Sequence, residues 1–482
     1  MRIATRNLWL AGLAGALAAG SCDADPSPFP GSAADDAAMP DTGAWAAELV
    51  EPETAFYVRP PAGTYGSGDG SSWANAFSGL PEQRVRGALY YFAAGDYFDE
   101  SLGRIENYIL DDPESGEEFI WLVKATAADH GDDAGFEAAF AEGPAALGPL
   151  AFVTGRYVLD GRGGSGAGGY GFEITHRDCE IRETDFVASP IFFPWDSTSQ
   201  YVLLRYADVA DCGNHDDPTV PAQDAVYSVE TENGLGHVVL SHCYVHDAWR
   251  QLLFLANAFD VLIEDSRFER AGLHHEAGTL AFRNTRNVVV RRNTMIDSVN
   301  VFVSLQRVRN VTISANVLAR TLDDWDDWAA VFSQEPALNV LVAGNTFFGL
   351  AGLNTGIRFD AETENLRVVN NLWARNRTNQ IMLCGAHSSN AFWDNLRVDG
   401  DAPVSLDEGI EEESAQVLAA DPFVDSGGLD LHLAAATAPG EELADPFVGT
   451  DHDGNPRGDD GCLDRGAYEL TAPLRRDPGT RR

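Results

Sequence analysis

The segments NVVVRRN (residues 287–293), NVTISAN (310–316), NVLVAGN (339–345) and NLRVVNN (365–371) share one pattern. An asparagine opens each segment, two apolar residues follow in alternation, and a second asparagine closes it. DVLIEDS (260–266) and HVVLSHC (237–243) are degenerate copies upstream. The closing column therefore runs through Cys243, Ser266, Asn293, Asn316, Asn345 and Asn371, in steps of 23, 27, 23, 29 and 26 residues. The opening column runs through His237, Asp260, Asn287, Asn310, Asn339 and Asn365. One short alternating strand per 23–29 residues, with polar residues at fixed corners, describes a solenoid of stacked β-coils. The asparagine amides are expected to bond to corner backbone groups and to the amide of the next coil.

Composition narrows the function. Against 33 basic residues stand 74 acidic ones, a net charge of −41. Nucleic acid is excluded as a partner, because its binding rests on cations neutralising phosphates. Lys124 is the only lysine. After the N-terminus no apolar run approaches the ~18 residues that span a bilayer.

Residues 1–22 read as an export signal: Arg2 and Arg6, an apolar stretch from Leu8 to Ala19, then small residues before Cys22. Ala19-Gly20-Ser21-Cys22 resembles a bacterial lipoprotein processing box, which implies lipid on Cys22 as the sole membrane attachment. Residues 23–54 are expected to form a disordered linker, 55–470 one β-helix domain, and 471–482 a disordered tail. Among the remaining cysteines, Cys243 is expected to be a buried thiol, and Cys179 with Cys212 a rung-to-rung bridge.

Several stretches resemble exported right-handed parallel β-helix proteins of the pectin-lyase-like and chondroitinase-B-like kind. They are Phe56-Tyr57-Val58 with Gly68 to Trp73, Ala88 to Tyr97, Ile120 to Lys124, and Phe152 to Gly161. Asp451 to Arg457 with Asp464 to Glu469 resembles the tail that closes many such chains. The resemblance implies an all-β fold, a single-stranded right-handed parallel β-helix of about ten rungs with irregular capping segments. Further ladder positions are expected at Ala207 and Thr184, and residues 113–150 read as an excursion or cap. The fold hosts lyases, hydrolases, epimerases and adhesins, so the site must carry the function.

Stacking turns register into proximity. The loops that follow each closing residue must lie above one another on one flank. In order they are Asp211–Asp217, His246-Asp247-Ala248-Trp249-Arg250, Gly272–Glu276, Asp297–Asn300, Asp323–Trp328 and Arg375-Asn376-Arg377. Aromatic faces, carboxylates and arginines on one wall suit a polysaccharide. Arg250, His275 and Glu276 are the expected catalytic residues. Asp247, Trp249, His274, Trp325 and Arg375 are expected to bind substrate, and Asp324 and Asp327 to hold calcium.

A uronate lyase needs a base beside a neutralised carboxylate. The resemblance implies a lysine there, but the rungs contain none, leaving Arg250 or His275. A glycoside hydrolase needs two carboxyls at ~5–5.5 or ~6.5–9.5 Å, which Asp247 with Glu276, or Glu276 with Asp324, would supply across one or two rungs. The expected protein is an exported, carbohydrate-active monomer, secreted or lipid-anchored in the cell envelope. The alternative is a surface glycan-binding or scaffold protein without catalysis.

Overall fold

The computed structural model describes residues 42–61, 63–98, 108–162, 169–175, 189–195, 197–211, 224–228, 234–272, 278–322, 329–350, 356–359, 363–376, 380–381, 386–395, 405–406, 412–459 and 461–470. A complete coil contributes one strand to each of three parallel sheets, as Leu235–Ser241, Tyr244–Ala248 and Leu253–Ala256 do in one turn. Among the described residues these sheets hold 14, 12 and 9 strands. Coil stacks on coil without slippage. In the first sheet Val238 lies beside Val261, then Val288, Val311, Val340 and Leu366. The molecule is a parallel β-helix, right-handed as parallel crossovers are. At ~4.8 Å per strand the first sheet is about 60 Å long, somewhat longer than ten rungs would give.

The alternating apolar positions fill the lumen. Leu204, Leu240, Ile263, Val290, Ile313, Val342 and Val368 form one such column, each almost fully buried. Burying each of these side chains contributes about 1.5–3 kcal/mol.

Corners need backbone in the left-handed region. His242, Asp265, Arg292, Ala315, Gly344 and Asn370 adopt it just before each closing residue, and His237, Asp260, Asn287, Asn310, Asn339 and Asn365 adopt it at the opening position. For residues other than glycine this costs about 1–2 kcal/mol each. The asparagine columns offset the cost. Asn345 Oδ1 accepts the backbone N–H of Asn316 at 2.9 Å and its side-chain amide at 3.0 Å. Asn345 Nδ2 in turn donates to Ile313 O and to Asn371 Oδ1, at 2.9 and 3.0 Å. The ladder extends past the expected column to Asn390 and ends on the Glu412 carboxylate. In the opening column Asn365, Asn339, Asn310, Asn287 and Asp260 are linked head to tail at 2.8–3.0 Å.

Upstream the register departs from expectation. Ala207 holds the ladder position, but it lies beside Phe172, which lies beside Ala145. The rung below Ala207 is therefore set by Phe172, and Thr184 lies outside the described residues. The stretch 113–150 is only partly an excursion, because Ala145–Leu147 and Leu150–Phe152 are coil strands. Lys124 ties the excursion down: fully buried, its ammonium donates to Ala125 O and Phe140 O at 2.7 and 2.8 Å. Burial pulls its pKa down to about 8.

The outer face of the first sheet carries a second apolar stripe, Trp121, Val158, Leu203, Val239, Leu262 and Val289. Both ends of the described chain fold over it. Trp45, Ala46 and Leu49 pack on this cluster, with Trp45 stacked on Phe119 and edge-on to Tyr201. A Cβ on Gly43 would sit 2.4 Å from Leu262, so only glycine lets the strap lie this close. Residues 42–54, expected in the linker, therefore belong to the folded body. From the other end Phe447 joins the same cluster, and its carbonyl accepts from Ser314 at 2.8 Å.

The closing tail is held by buried polar side chains. Arg457 donates to the carbonyls of Thr450, Asp464, Gly344, Gly466 and Ala467 and pairs with Glu469 at 3.0 Å. Asp451 accepts from the backbone N–H groups of Asp453, Asn455 and Glu469.

Candidate functional site

Between the second and third sheets each coil turns through a loop. The strands on either side, Tyr244–Ala248 with Leu253–Ala256 and Arg267–Ala271 with Leu280–Arg283, are neighbours in their sheets. The same holds for Thr294–Ser298 with Val301–Gln306 and for Val317–Ala319 with Ala329–Ser333. The connections containing Arg250, His275 and Asp324 thus join the same two sheets. His274, His275, Glu276, Asp324, Trp325 and Asp327 themselves lie outside the described residues, as do Cys22, Cys179 and Cys212.

Four expected site residues are described. Arg250 Nε donates to Asp224 Oδ1 at 2.9 Å, and its second nitrogen pairs with Oδ2. Asp224 is 2% exposed and also accepts the Gln251 N–H. Burial opposes the Arg250 charge, but Asp224 outweighs it and raises the pKa above the usual arginine value. Arg250 is held as the cation of an ion pair with Asp224. Its guanidinium lies 5.9 Å from the ring centres of both Tyr227 and Phe254. These rings continue a column that begins at Phe192 on the outer face of the third sheet, with centroids 6.0 and 5.5 Å apart. Trp249, half-buried, shares the Arg250 loop.

Asp247 is also committed. Arg270 clamps it through Nε and a terminal nitrogen, at 2.5 and 2.6 Å, and His246 Nδ1 bonds to it. Burial would raise its pKa, but Arg270 and His246 hold it far below the carboxylate range. Both Asp247 oxygens are thus engaged by Arg270 and His246. Arg375 stands apart, its guanidinium 4.9 Å over Trp393 and 3.7 Å from Asp394.

Asp247 and Arg375 are members of a third column that sequence reading missed. Four residues after each ladder position come Asp211, Asp247, Arg270, Asp297, Arg320, Gly349, Arg375 and Asp394. The pairing of the preceding residues aligns them coil on coil. The constant offset of four from the asparagine ladder was the available signal.

The outer face of the second sheet completes the wall. His246 Nε2 bonds to Asp208 Oδ1 at 2.8 Å, so both ring nitrogens meet carboxylates. Burial opposes the charge, yet Asp208 and Asp247 push the imidazole up to about 9. Tyr244 bonds to Glu269 and stacks on His246 at 4.1 Å and on Tyr170 at 6.1 Å. Arg267 pairs with Glu269, and Arg270 reaches the same carboxylate at 3.0 Å. Further along, the face turns apolar at Val317 and Ala319, and there Phe423, Leu431, Leu433 and Tyr468 cover it. The coils carrying Tyr244, His246, Arg267 and Glu269 are only partly buried there, whereas those carrying Val317, Phe348 and Trp393 are roofed.

Residues 215–399 match the profile of a family described as "Periplasmic copper-binding protein (NosD)". The described residues do not fit copper: none of them form a group of three or more His, Cys, Asp or Glu side chains placed to hold a metal. Cys243 is buried with its thiol pushed up to about 12, which disfavours the thiolate a metal would need. Among curated protein sequences none matches. Similar solved structures include pectate lyase Pel9A, at 12% identity and TM-score 0.44, covering 89% of this chain and 92% of that one. Others are the GH136 lacto-N-biosidase from Eubacterium ramulus (9%, TM-score 0.40, 78% and 69%) and PfbA, a surface adhesin of Streptococcus pneumoniae (11%, 0.35, 65% and 78%). The fold assignment rests on the strand pairing described above.

Proposed function

We propose that this protein is exported and recognises an extracellular polysaccharide along the wall formed by the second sheet, the loops after it and the outer face of the third sheet. The observation that carries the reading is the half-buried pair Tyr227 and Phe254, stacked one coil apart, with Arg250 poised over both rings and the buried Phe192 backing them. Aromatic rings spaced coil by coil, flanked by ordered charged groups, are the surface a sugar chain uses. The export-type N-terminus and the periplasmic family profile on residues 215–399 support the location. Lipid on Cys22 would be its membrane anchor.

The commitment of Arg250 to Asp224 and of Asp247 to Arg270 favours binding over bond cleavage by these residues. A catalytic role rests on His275 and Glu276. A glycan panel read for retention, unsaturated-uronate absorbance and reducing ends, with and without calcium, tests the reading. Retention without turnover is expected. Turnover abolished by His275→Ala or Glu276→Ala would replace binding with catalysis, and no retention on any glycan would remove the proposal. Mass spectrometry of the mature N-terminus should find a diacylglyceryl group on Cys22.

A further inference from the structure

Resting on that reading, we infer that the polysaccharide is a neutral, hydroxyl-rich chain rather than a polyuronate or a sulfated glycan. The wall presents Arg250, His246, Arg267 and Arg270 as its central cations, and each is closed onto a carboxylate of the protein. Arg250 meets Asp224, His246 meets Asp208 and Asp247, Arg267 meets Glu269, and Arg270 meets Asp247 and Glu269. On the second-sheet part of the wall three cations therefore face three carboxylates, Asp208, Asp247 and Glu269. Glu173, aligned beside Asp208, adds a further carboxylate.

A polyuronate brings one negative charge per sugar. To bind, it would have to break an ion pair for each charge it seats and leave a half-buried carboxylate unpaired, a costly exchange. The chain as a whole, at −41, also repels a polyanion on approach. A sugar hydroxyl makes neither demand. The lone pairs of a paired carboxylate accept its proton, and the N–H groups at the rim of an arginine pair donate to its oxygen. Tyr227 and Phe254 offer half-buried ring surface to pyranose C–H faces. Paired charges on the neighbouring coils that carry Asp208, His246 and Arg267 form a strongly hydrogen-bonding strip without excess positive charge, which suits sugar hydroxyls.

The test uses the full chain on immobilised β-glucan, xylan and mannan, and on polygalacturonate, alginate and chondroitin sulfate, each at low and high salt. Retention on a neutral glycan that salt leaves unchanged, with none on the polyanions, is expected. Bound neutral oligosaccharide should slow hydrogen–deuterium exchange in residues 244–256 and 267–271. Tyr227→Ala should weaken binding about tenfold or more with the fold intact by circular dichroism, and Tyr244→Phe, which keeps the ring, should weaken it less. Salt-sensitive retention on polyanions alone would overturn the neutral-glycan inference while leaving polysaccharide recognition standing. No retention on any glycan would overturn both. Binding without exchange protection on this wall would overturn the assignment of the wall.

Discussion

Asn316 donates its side-chain amide to Oδ1 of Asn345 at 3.0 Å, and the same oxygen takes the backbone N–H of Asn316. Each member of the ladder thus satisfies groups in three coils at once, in a fully buried setting. Replacing Asn345 with alanine strands the N–H of Asn316 and the carbonyl of Ile313. A loss of about 2–4 kcal/mol is expected, each orphaned buried group costing about 1–3 kcal/mol. Ser266→Ala, near the ladder's end, should cost about 1 kcal/mol. Urea unfolding of the two variants checks the order; equal losses would show that the ladder bears no special load.

Asp224 is almost fully buried beneath Arg250, whereas Arg250 keeps about a third of its side chain in solvent. Asp224→Asn should therefore destabilise by about 1–3 kcal/mol, less than the 3–5 kcal/mol of a fully buried pair. Arg250→Gln alone should also destabilise, and the double variant should lose less than the sum of the two. A double-mutant cycle by chemical denaturation measures this coupling. Strict additivity would dissolve the proposed clamp.

His387 continues the lumen column beyond Val368; from Leu122 up to Val368 that column is aliphatic. Among the described residues neither ring nitrogen has a hydrogen-bond partner, and burial pulls its pKa down to about 4. In the unfolded chain it titrates near 6.5. Between about pH 6.5 and pH 4 the unfolded chain binds the extra proton, so stability falls as pH drops through that window. His387→Leu should flatten this slope and stabilise the protein at pH 5, as melting temperatures at pH 7 and 5 will report.

His246 runs the other way. Its folded pKa lies near 9 because Asp208 and Asp247 outweigh burial. Its contribution is full below about 6.5 and is lost as pH rises through about 9. His246→Gln should remove that alkaline loss while lowering stability at neutral pH. Melting curves from pH 6 to 10 separate the variant from the parent; parallel curves would reject the doubly paired imidazolium.

Trp45 anchors the strap that precedes the first strand. Trp45→Ala should cost about 1–2 kcal/mol of apolar burial and open residues 42–52 to proteolysis. Limited proteolysis followed by N-terminal sequencing checks the site of cutting.

The coil was legible because it is encoded redundantly: asparagine columns, alternating apolar pairs and near-constant spacing all report the same repeat. The flank carrying Arg250 followed from that register, since strands aligned in a parallel sheet must align their loops. Partners were not legible. Nothing near Arg250 in the chain reveals Asp224, one coil below, and nothing near Asp247 reveals Arg270, one coil above. The strap at residues 42–54 was read as linker because its composition is loop-like, although its tryptophan and glycine answer the apolar stripe on the first sheet. Upstream of Ala207 the repeat signal fades: Phe172 and Ala145 carry no amide, so spacing alone pointed to Thr184.

The stripe from Trp121 to Val289 is shared between a strap made first and a tail made last. Without that tail Val289 would leave its apolar outer surface bare to the surroundings. A product truncated before Phe447 would therefore be sticky even with every rung intact.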